Sequence, residues 1–376
     1  MKENLFLSLY LFFIFIVVTV VSVLMPKLSR KEIVFGVRVP ESKINMQEIR
    51  DIKKRYVVNN LLIEIPAAIL FTFLNYIFFS VGMILFTVFA FIFINYFVYL
   101  ISNRQMKALK NQQNWFNGKK QSVVVDTDFS RERINTLVSP WFFIIPVIIV
   151  VINIALGYSN YSGLPSRVPT HWDFSGNITG YQNKSLFLIW EMPITQIFIT
   201  AVFFICYKSI GWSKQQLSPP NPKSSARKNR VFRRVWSIYM TVFCIFMNSI
   251  FTMANFMIFS IFNINPKIFG FIIIAFIVIV FSSIIVISLK LGQGGANIKL
   301  PGEKIADSTL QTDKDDDSNW RFGNTIYYNP DDPSLFIEKR FGIGWTINAG
   351  RPAGMAIYIG LVVFVVVVIF ICIIKD

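Results

Sequence analysis

The chain of 376 residues is strongly apolar, since 54% of its residues are hydrophobic, only 15% are charged and 39 are phenylalanines. Its mean hydropathy of +0.53 excludes an ordinary soluble domain. The single histidine, His171, excludes a metal site built from several imidazoles, so zinc hydrolase chemistry is not expected. We therefore predict a membrane protein without a metal site.

Residues 5–25 form the first of several apolar runs that are long enough to cross about 30 Å of hydrocarbon. This run is too long for the apolar core of a signal peptide and lacks a cleavage site of small residues, so we interpret it as a retained first helix. The runs that follow include a nearly continuous pair, which we divide by a tight turn near residue 80. They lie near residues 58–77, 80–102, 139–158, 185–207, 236–261, 268–289 and 354–373. The pattern predicts an all-α polytopic membrane protein with about eight transmembrane helices.

The basic residues are distributed unevenly between alternate loops. Loops 26–57, 103–138, 208–235 and 290–353 together carry 32 lysines and arginines, whereas the rest of the chain carries 5. The positive-inside rule assigns these four loops to the cytoplasm and places both termini outside. The net charge of +16 then reflects topology and attraction to anionic lipid, and nucleic acid is not an expected partner.

The predicted domains are a seven-helix membrane domain at 1–289, a flexible cytoplasmic linker at 290–319, a β-rich element at 320–353 and a last helix at 354–376. Within the β-rich element, three runs of β-type residues near 325–328, 335–338 and 345–348 are separated by the turn signals PDDP and FGIG. We therefore expect a small cytoplasmic β element of three strands before the last transmembrane helix.

This β element resembles a short domain of unknown function that is found at the C-terminal end of some bacterial membrane proteins. The resemblance is carried by eight positions: Asn329, Asp332, Pro333, Lys339, Arg340, Gly344, Trp345 and Asn348. It implies no activity. We predict that part of it forms a surface for a cytoplasmic or membrane protein partner, made of Asp332, Lys339, Arg340, Trp345 and Asn348.

The predicted outer loop, residues 158–184, carries a motif of ten ordered positions: Leu164, Pro165, Pro169, Thr170, His171, Trp172, Gly176, Gly180, Tyr181 and Lys184. It resembles the signature of the membrane family that includes the SdpI-type bacteriocin immunity proteins. The segment FGVRVP at 35–40 resembles a further element of those proteins. The resemblance implies a protein of the bacterial cytoplasmic membrane, whose relatives protect their host from a secreted toxin and relay its presence inward.

His171 and Asp173 lie two residues apart in this loop, and Glu191 follows within the fifth helix. A carboxylate below the membrane surface usually faces protein or a water-filled cavity. The predicted ligand-binding or sensing site comprises Pro169, Thr170, His171, Trp172, Asp173, Gly176, Gly180 and Glu191. The alternative is structural, with His171 bonding inside a tight loop and Glu191 bonding backbone near Pro193.

Polar residues also enter the predicted helices. Asn248, Thr252 and Asn255 follow one face of the sixth helix, and Glu64 lies in the second. Two interpretations stay open for the sixth helix, namely hydrogen bonds that hold helices together and an intramembrane polar path that includes Glu64. For Glu64 the structural alternative is neutralisation by Lys54 and Arg55, whose long side chains bend toward it.

The sequence contains no Walker or Rossmann glycine pattern and no GxSxG motif, so we predict a protein that is not an enzyme and needs no cofactor. The favoured function is a membrane receptor or immunity-type protein that senses or neutralises an extracellular peptide or envelope stress and relays it inward. A secondary transporter, with a polar path through the fifth and sixth helices, and a scaffold of a membrane complex remain open alternatives.

Overall fold

The computed structural model describes residues 2–116, 136–173, 175–217, 222–300 and 315–375. Within these residues, eight helices are long and apolar enough to cross a membrane. They are α1 (Lys2–Leu28), α2 (Gln47–Ile77), α3 (Val81–Gln112), α4 (Ile144–Tyr161), α5 (Phe187–Trp212), α6 (Pro222–Ile258), α7 (Pro266–Leu291) and α8 (Pro352–Lys375). The predicted all-α polytopic fold is confirmed, and the chain is a multi-pass membrane protein.

Two helices begin well before the apolar runs that predicted them. α2 begins at Gln47 and α6 at Pro222, whereas the runs begin at 58 and 236. A helix satisfies its backbone hydrogen bonds internally and therefore continues into water, where hydropathy no longer marks it. The division of the nearly continuous run is confirmed, because Ser80 ends the turn and caps α3 by accepting a hydrogen bond from the Met83 N–H at 3.1 Å.

The strands are short and form four antiparallel pairs. The pairs are β1 (Ile33–Val34) with β2 (Val37–Arg38), β3 (Arg167–Trp172) with β4 (Ile178–Asn183), β5 (Trp320–Arg321) with β6 (Ile326–Tyr327), and β7 (Phe336–Glu338) with β8 (Trp345–Ile347). The predicted β element before the last helix is thus present as two strand pairs rather than three strands. A parallel bridge between Tyr327 and Asn348 joins the two pairs.

The chain divides into two compact units. The first contains the described residues of Met1–Thr127, Ser213–Asn229 and Ile285–Asp376, and the second those of Asp128–Trp212 and Arg230–Ile284. The domain boundaries at 289, 319 and 353 stay predictions. Both ends of the predicted linker, 290–300 and 315–319, take part in the fold of the first unit, and its middle lies outside the described residues.

In the first unit, α1, α2 and α3 pack through aromatic side chains. The ring of Phe15 stacks on that of Phe91 at 4.5 Å and meets the edge of Phe71 at 6.2 Å. At one end of these helices lies a folded polar segment, which we call the head and define as residues 29–46, 213–217, 292–300 and 315–351. A second aromatic cluster, of Phe35, Tyr56, Tyr99 and Phe341, joins the head to α2 and α3.

Candidate functional site

The predicted outer loop folds as a hairpin, β3–β4, which connects α4 to α5 in the second unit. Its register is irregular, because Pro169 pairs with Tyr181, His171 with Gly180 and Trp172 with Ile178. Thr170 on β3 is therefore an extra residue of the kind that makes a β-bulge. Bulges change the direction of a side chain and are frequent beside functional sites.

The hairpin turn is closed by Asp173. Its Oδ1 accepts a hydrogen bond from the Asn177 N–H at 2.7 Å, and its Oδ2 accepts one from Asn177 Nδ2 at 2.9 Å. The Asp173 N–H also donates to the Asn177 carbonyl at 2.8 Å, and the Gly176 N–H to the Asp173 carbonyl at 3.0 Å. The hydrogen bonds from Asn177 hold the pKa of Asp173 below its ordinary value. Asp173 is thus a structural residue of the turn.

The base of the hairpin is fixed to the ends of helices. Nζ of Lys184 donates to the carbonyls of Ser162 at 3.0 Å and Leu164 at 2.9 Å. Below it, the motif residue Leu164 joins a buried apolar cluster with side chains from β3, α5, the end of α6 and the residue after it: Val168, Leu188, Ile189, Ile258 and Phe259. Leu164 and Lys184 of the motif therefore fix the base of the hairpin to the neighbouring helices.

The face of the hairpin that carries His171 is open. The His171 side chain is exposed, and its Nδ1 lies 3.0 Å from Oγ1 of Thr170. The residue opposite is Gly180, and a Cβ at this position would lie 3.0 Å from that same Nδ1, so a larger residue would displace the imidazole. Elsewhere on the hairpin, Tyr181 and Ile178 are 51% and 42% exposed, so β4 also presents apolar side chains to solvent.

Glu191 lies one turn into α5, at the base of the hairpin. Its Oε1 is 3.5 Å from Nε2 of Gln182, which is a long and weak hydrogen bond. Its Oε2 is buried and has no hydrogen-bond partner among the described residues. The structure therefore gives His171, Asp173 and Glu191 different hydrogen-bond partners and does not join them in one site. One buried oxygen of Glu191 has no hydrogen-bond donor among the described residues.

The polar residues of α6 form hydrogen bonds with α4 and α5. Nδ2 of Asn153 donates to Oε1 of Gln196 and to Oγ1 of Thr252, each at 2.9 Å. Nε2 of Gln196 donates to the carbonyl of Asn248 at 2.9 Å, and Nδ2 of Asn248 donates to Oγ1 of Thr200 at 3.1 Å. Asn153, Gln196 and Asn248 are fully buried. This geometry is that of a polar network that joins three helices.

The remaining two residues of the predicted polar path lie elsewhere. Asn255 is fully buried on α6, and its amide nitrogen and oxygen have no hydrogen-bond partner in the described chain. Glu64 belongs to the first unit, where Nδ2 of Asn95 donates to its Oε1 at 2.9 Å. Neutralisation of Glu64 by Lys54 and Arg55 is wrong, because both of these side chains are exposed while Glu64 is buried. A helix rises 1.5 Å per residue, so they start about 15 Å away.

In the head, the FGVRVP segment forms a tight turn between β1 and β2. Phe35 and Gly36 both have positive φ, at 47° and 78°, as the favoured two-residue hairpin turn requires. The Phe35 carbonyl accepts from Nδ2 of Asn103 at 2.7 Å, and the Gly36 carbonyl accepts from Nδ2 of Asn324 at 2.8 Å. A Cβ on Gly36 would lie 2.6 Å from the Tyr99 hydroxyl, so no larger residue fits.

A cluster of charges holds this turn to the rest of the head. Nη1 of Arg340 donates to the Gly36 carbonyl at 3.0 Å, and its guanidinium pairs with both Asp316 and Asp317. Nε of Arg38 donates to Oδ1 of Asp316 at 3.0 Å. From α3, Nζ of Lys110 reaches Asp317 at 2.6 Å and Asp315 at 2.7 Å. Three cations and three carboxylates therefore balance one another.

A second ion pair lies deeper in the head. Nη2 of Arg30 contacts Oε2 of Glu338 at 2.5 Å, and Nδ2 of Asn229 donates to Oε1 of the same carboxylate at 2.8 Å. Burial alone would lower the pKa of Arg30, but the charges of Glu338 and Glu32 outweigh it and raise that pKa. Buried ions are tolerated only when they are paired in this way.

The residues predicted to face a partner are mostly internal. Asp332, Arg340 and Asn348 are buried, and only Lys339 is exposed, with Trp345 half-buried. Asp332 accepts from Nζ of Lys214 at 2.7 Å, and Asn348 donates to the carbonyl of Asn329 at 2.8 Å. The predicted surface was therefore wrong for the three buried residues, because their polar groups are used to fold the head.

A cleft of about 280 Å³ opens beside Asp332. Burial raises the pKa of Tyr327 in this cleft to about 12, while Lys214 holds the pKa of Asp332 below its ordinary value in spite of burial. Among the described residues, no three side chains of His, Cys, Asp and Glu form a group suited to a metal ion. The cleft is lined by Lys214, Asn319, Tyr327, Asn329, Asp331, Asp332 and Pro333.

Several of these residues could not be singled out from the sequence. Arg30 and Glu338 are 308 positions apart, and nothing in their local context distinguishes them from solvated charges. The sequence feature that pointed to this part of the head was the FGVRVP segment, whose turn lies against the C-terminal element. Asn153 and Gln196 also stood as isolated amides within apolar runs, where any buried polar group needs a partner.

Two family models match parts of the chain. Residues 148–197 match a domain of unknown function (DUF1648), and residues 330–355 match a family of unknown function (DUF5808). The first match covers the hairpin with the adjoining parts of α4 and α5, and the second covers the C-terminal part of the head. No curated protein and no solved structure matches the chain. Both matches are typical of membrane-protein families.

Proposed function

We propose that the chain is a non-enzymatic receptor of the bacterial cytoplasmic membrane, whose hairpin faces outward and binds an extracellular peptide. The proposal rests above all on one observation. The hairpin is fixed at its base by Lys184 and closed at its turn by Asp173, yet it presents His171, Ile178 and Tyr181 to solvent. A rigid element that exposes apolar and titratable side chains suits recognition better than packing.

A peptide is the ligand class that the hairpin geometry favours. β3 and β4 pair only with each other within the described chain, so each has an outer edge of backbone N–H and C=O groups. An extended peptide adds to such an edge as a further strand, while neighbouring side chains supply specificity. The imidazole of His171 and the ring of Tyr181 are available for that role.

The inward relay is proposed to run through α6. This helix contributes Asn229 to the first unit, where its amide bonds Glu338 of the head, and Ile258 to the second, where it packs below the hairpin. The distribution of basic residues supports an orientation with the head in the cytoplasm and both termini outside.

The resemblance of the outer loop to SdpI-type immunity proteins supports the same proposal. Protection against a secreted toxic peptide is the function that this resemblance favours. The DUF1648 match covers the loop and supports its treatment as one structural element.

The test is the growth of a deletion strain that carries wild type, His171→Ala or Ser185→Ala, under challenge with secreted peptides and envelope-targeting antibiotics. Ser185 is an exposed polar residue that directly follows the loop, and it serves as the matched control. We expect wild type and Ser185→Ala to protect the strain and His171→Ala, at equal abundance in the membrane, to fail. Equal protection by all three proteins would contradict a recognition role for His171, and sensitivity that wild type does not reverse would contradict the receptor proposal.

A further inference from the structure

Three buried acceptors on α2 have no donor among the described residues, namely Oδ1 of Asn60, Oε2 of Glu64 and Oδ1 of Asn75, and the first two lie one helical turn apart. Glu64 on α2 is fully buried, and its Oε2 has no hydrogen-bond partner among the described residues. Asn60, one helical turn earlier, is also fully buried, and its Oδ1 has no partner there either, although its Nδ2 donates to the Tyr56 carbonyl at 2.6 Å. An unsatisfied polar group is costly in a low-dielectric interior, so two of them on one helix face require a common explanation.

The donors that surround this pair are already engaged. On α1, the hydroxyl of Thr19 donates to the Phe15 carbonyl at 3.1 Å and that of Ser22 to the Val18 carbonyl at 2.9 Å. On α3, Nδ2 of Asn95 donates to the other Glu64 oxygen and to Ser22. The Thr19 hydroxyl also lies beside the Glu64 carboxylate, but it has a single hydrogen, and that hydrogen is donated to the Phe15 carbonyl.

The titratable groups on the adjoining helices do not supply a charge either. The Tyr56 hydroxyl donates to the Ser22 carbonyl at 3.1 Å, that of Tyr96 to the Phe322 carbonyl at 2.8 Å, and that of Tyr99 to the Gly323 carbonyl at 2.5 Å. Between Asn4 and Leu28, α1 carries one charged residue, Lys27, which lies at its far end. No cation of the described chain forms an ion pair with Glu64 that would compensate a buried carboxylate.

We propose that Glu64 and Asn60 form an intramembrane proton-binding site, in which Glu64 is protonated on Oε2 and donates a hydrogen bond to Oδ1 of Asn60. One proton satisfies both acceptors and removes the charge from the helix interior. A metal cation would need more oxygen ligands than the two that lack partners. When the proton leaves, both acceptors are without a donor and a carboxylate charge is buried, which weakens the packing of α1, α2 and α3. The proposal is independent of peptide recognition by the hairpin.

The first experiment is infrared difference spectroscopy of the full-length protein in lipid, comparing wild type with Glu64→Gln and Asn60→Leu. At neutral pH we expect a carbonyl band of a protonated carboxylic acid in wild type that is lost in Glu64→Gln. In Asn60→Leu the band should persist and move to higher wavenumber, because a hydrogen-bond partner of the acid is gone. A difference confined to carboxylate bands would overturn the proposal, and an unshifted band would overturn the assignment of Asn60.

The second experiment measures the midpoint of thermal unfolding against pH, with Glu48→Gln, an exposed glutamate of the same helix, as the matched control. Glutamine reproduces the proposed acid, since its amide N–H can donate to Asn60 while its carbonyl accepts from Asn95. We therefore expect Glu64→Gln to match wild type at neutral pH and to keep its midpoint at alkaline pH, where wild type loses stability. A Glu64→Gln protein that fails to fold or that melts well below wild type at neutral pH would show a structural carboxylate instead.

Discussion

The head and the hairpin both carry polar residues, but they use them in opposite ways. In the head, Arg30, Arg340, Asp316 and Glu338 are turned inward and bond one another. In the hairpin, the polar bonds lie mainly at the turn and the base, and His171, which contacts only Thr170 among the polar side chains described above, is exposed. Charge in the first region stabilises a fold, whereas the exposed groups of the second are available to a ligand.

This difference separates two kinds of motif residue that look alike in a sequence. Arg340 and His171 both belong to sequence motifs. The side chain of Arg340 is buried, at 2% exposure, whereas that of His171 is exposed. Substitution in the head should therefore lower stability, and substitution on the open hairpin face should lower recognition without unfolding the protein.

The largest expected effect is that of Glu338→Ala. The change leaves Arg30 buried without its carboxylate and Asn229 without an acceptor, which should reduce the free energy of unfolding by about 3–5 kcal/mol. The measurement is thermal or denaturant unfolding in detergent or lipid. Glu32→Ala is the matched control, because Glu32 also contacts Arg30, at 3.7 Å, but is 24% exposed and should matter by less than about 1 kcal/mol. Equal losses for the two variants would show that the head does not depend on its buried pair.

A smaller effect is expected from Gln196→Leu in the second unit. Gln196 bonds Asn153 and Asn248, and hydrogen bonds between membrane helices contribute about 0.6 kcal/mol each, up to about 1.7. We expect a loss of about 1–2 kcal/mol in the same unfolding assay. Ser249→Ala, which removes a bond within α6 alone, should be nearly neutral. An unchanged Gln196→Leu protein would indicate that the network does not hold the helices together.

Gly180→Ala should alter the hairpin with little loss of stability. The new Cβ would lie 3.0 Å from Nδ1 of His171, so the imidazole must rotate away from Thr170. His171 is the single histidine, and its ring signals in NMR spectra are therefore unambiguous. We expect those signals to shift and protection in the challenge assay to fall, with the unfolding free energy changed by about 1 kcal/mol or less. Unshifted ring signals would contradict the assigned contact.

The smallest effect concerns the pH dependence of the turn. The pKa of Asp173 is lowered by its bonds from Asn177, so the turn is stabilised above the ordinary carboxyl range, near pH 4, and loses this contribution as the pH falls through the lowered value. The amide signal of Asn177 should move on acidification in wild type and stay still in Asp173→Asn. Movement of equal size in both proteins would assign the titration to another group.

Apolar length and turn signals were sufficient to predict the membrane fold, the division near Ser80 and the β element before α8. These features are local and follow from hydropathy and turn chemistry. The burial of Arg340 and Asp332 was not predictable, because it depends on contacts with Gly36 and Lys214 that lie far away in the sequence. In the same way, the spacing of Asn248, Thr252 and Asn255 indicated a polar face on α6, but it did not identify the residues on α4 and α5 that bond to this face.

The most direct test of the account is labelling of intact cells with a membrane-impermeant maleimide, in a background where Cys206, Cys244 and Cys372 are replaced by serine. Tyr181→Cys reports on the hairpin and Lys339→Cys on the head, since both positions are exposed. We expect Tyr181→Cys to be labelled in intact cells and Lys339→Cys to be labelled only after permeabilisation. Labelling of Lys339→Cys alone in intact cells would place the hairpin on the inner side and contradict an extracellular ligand.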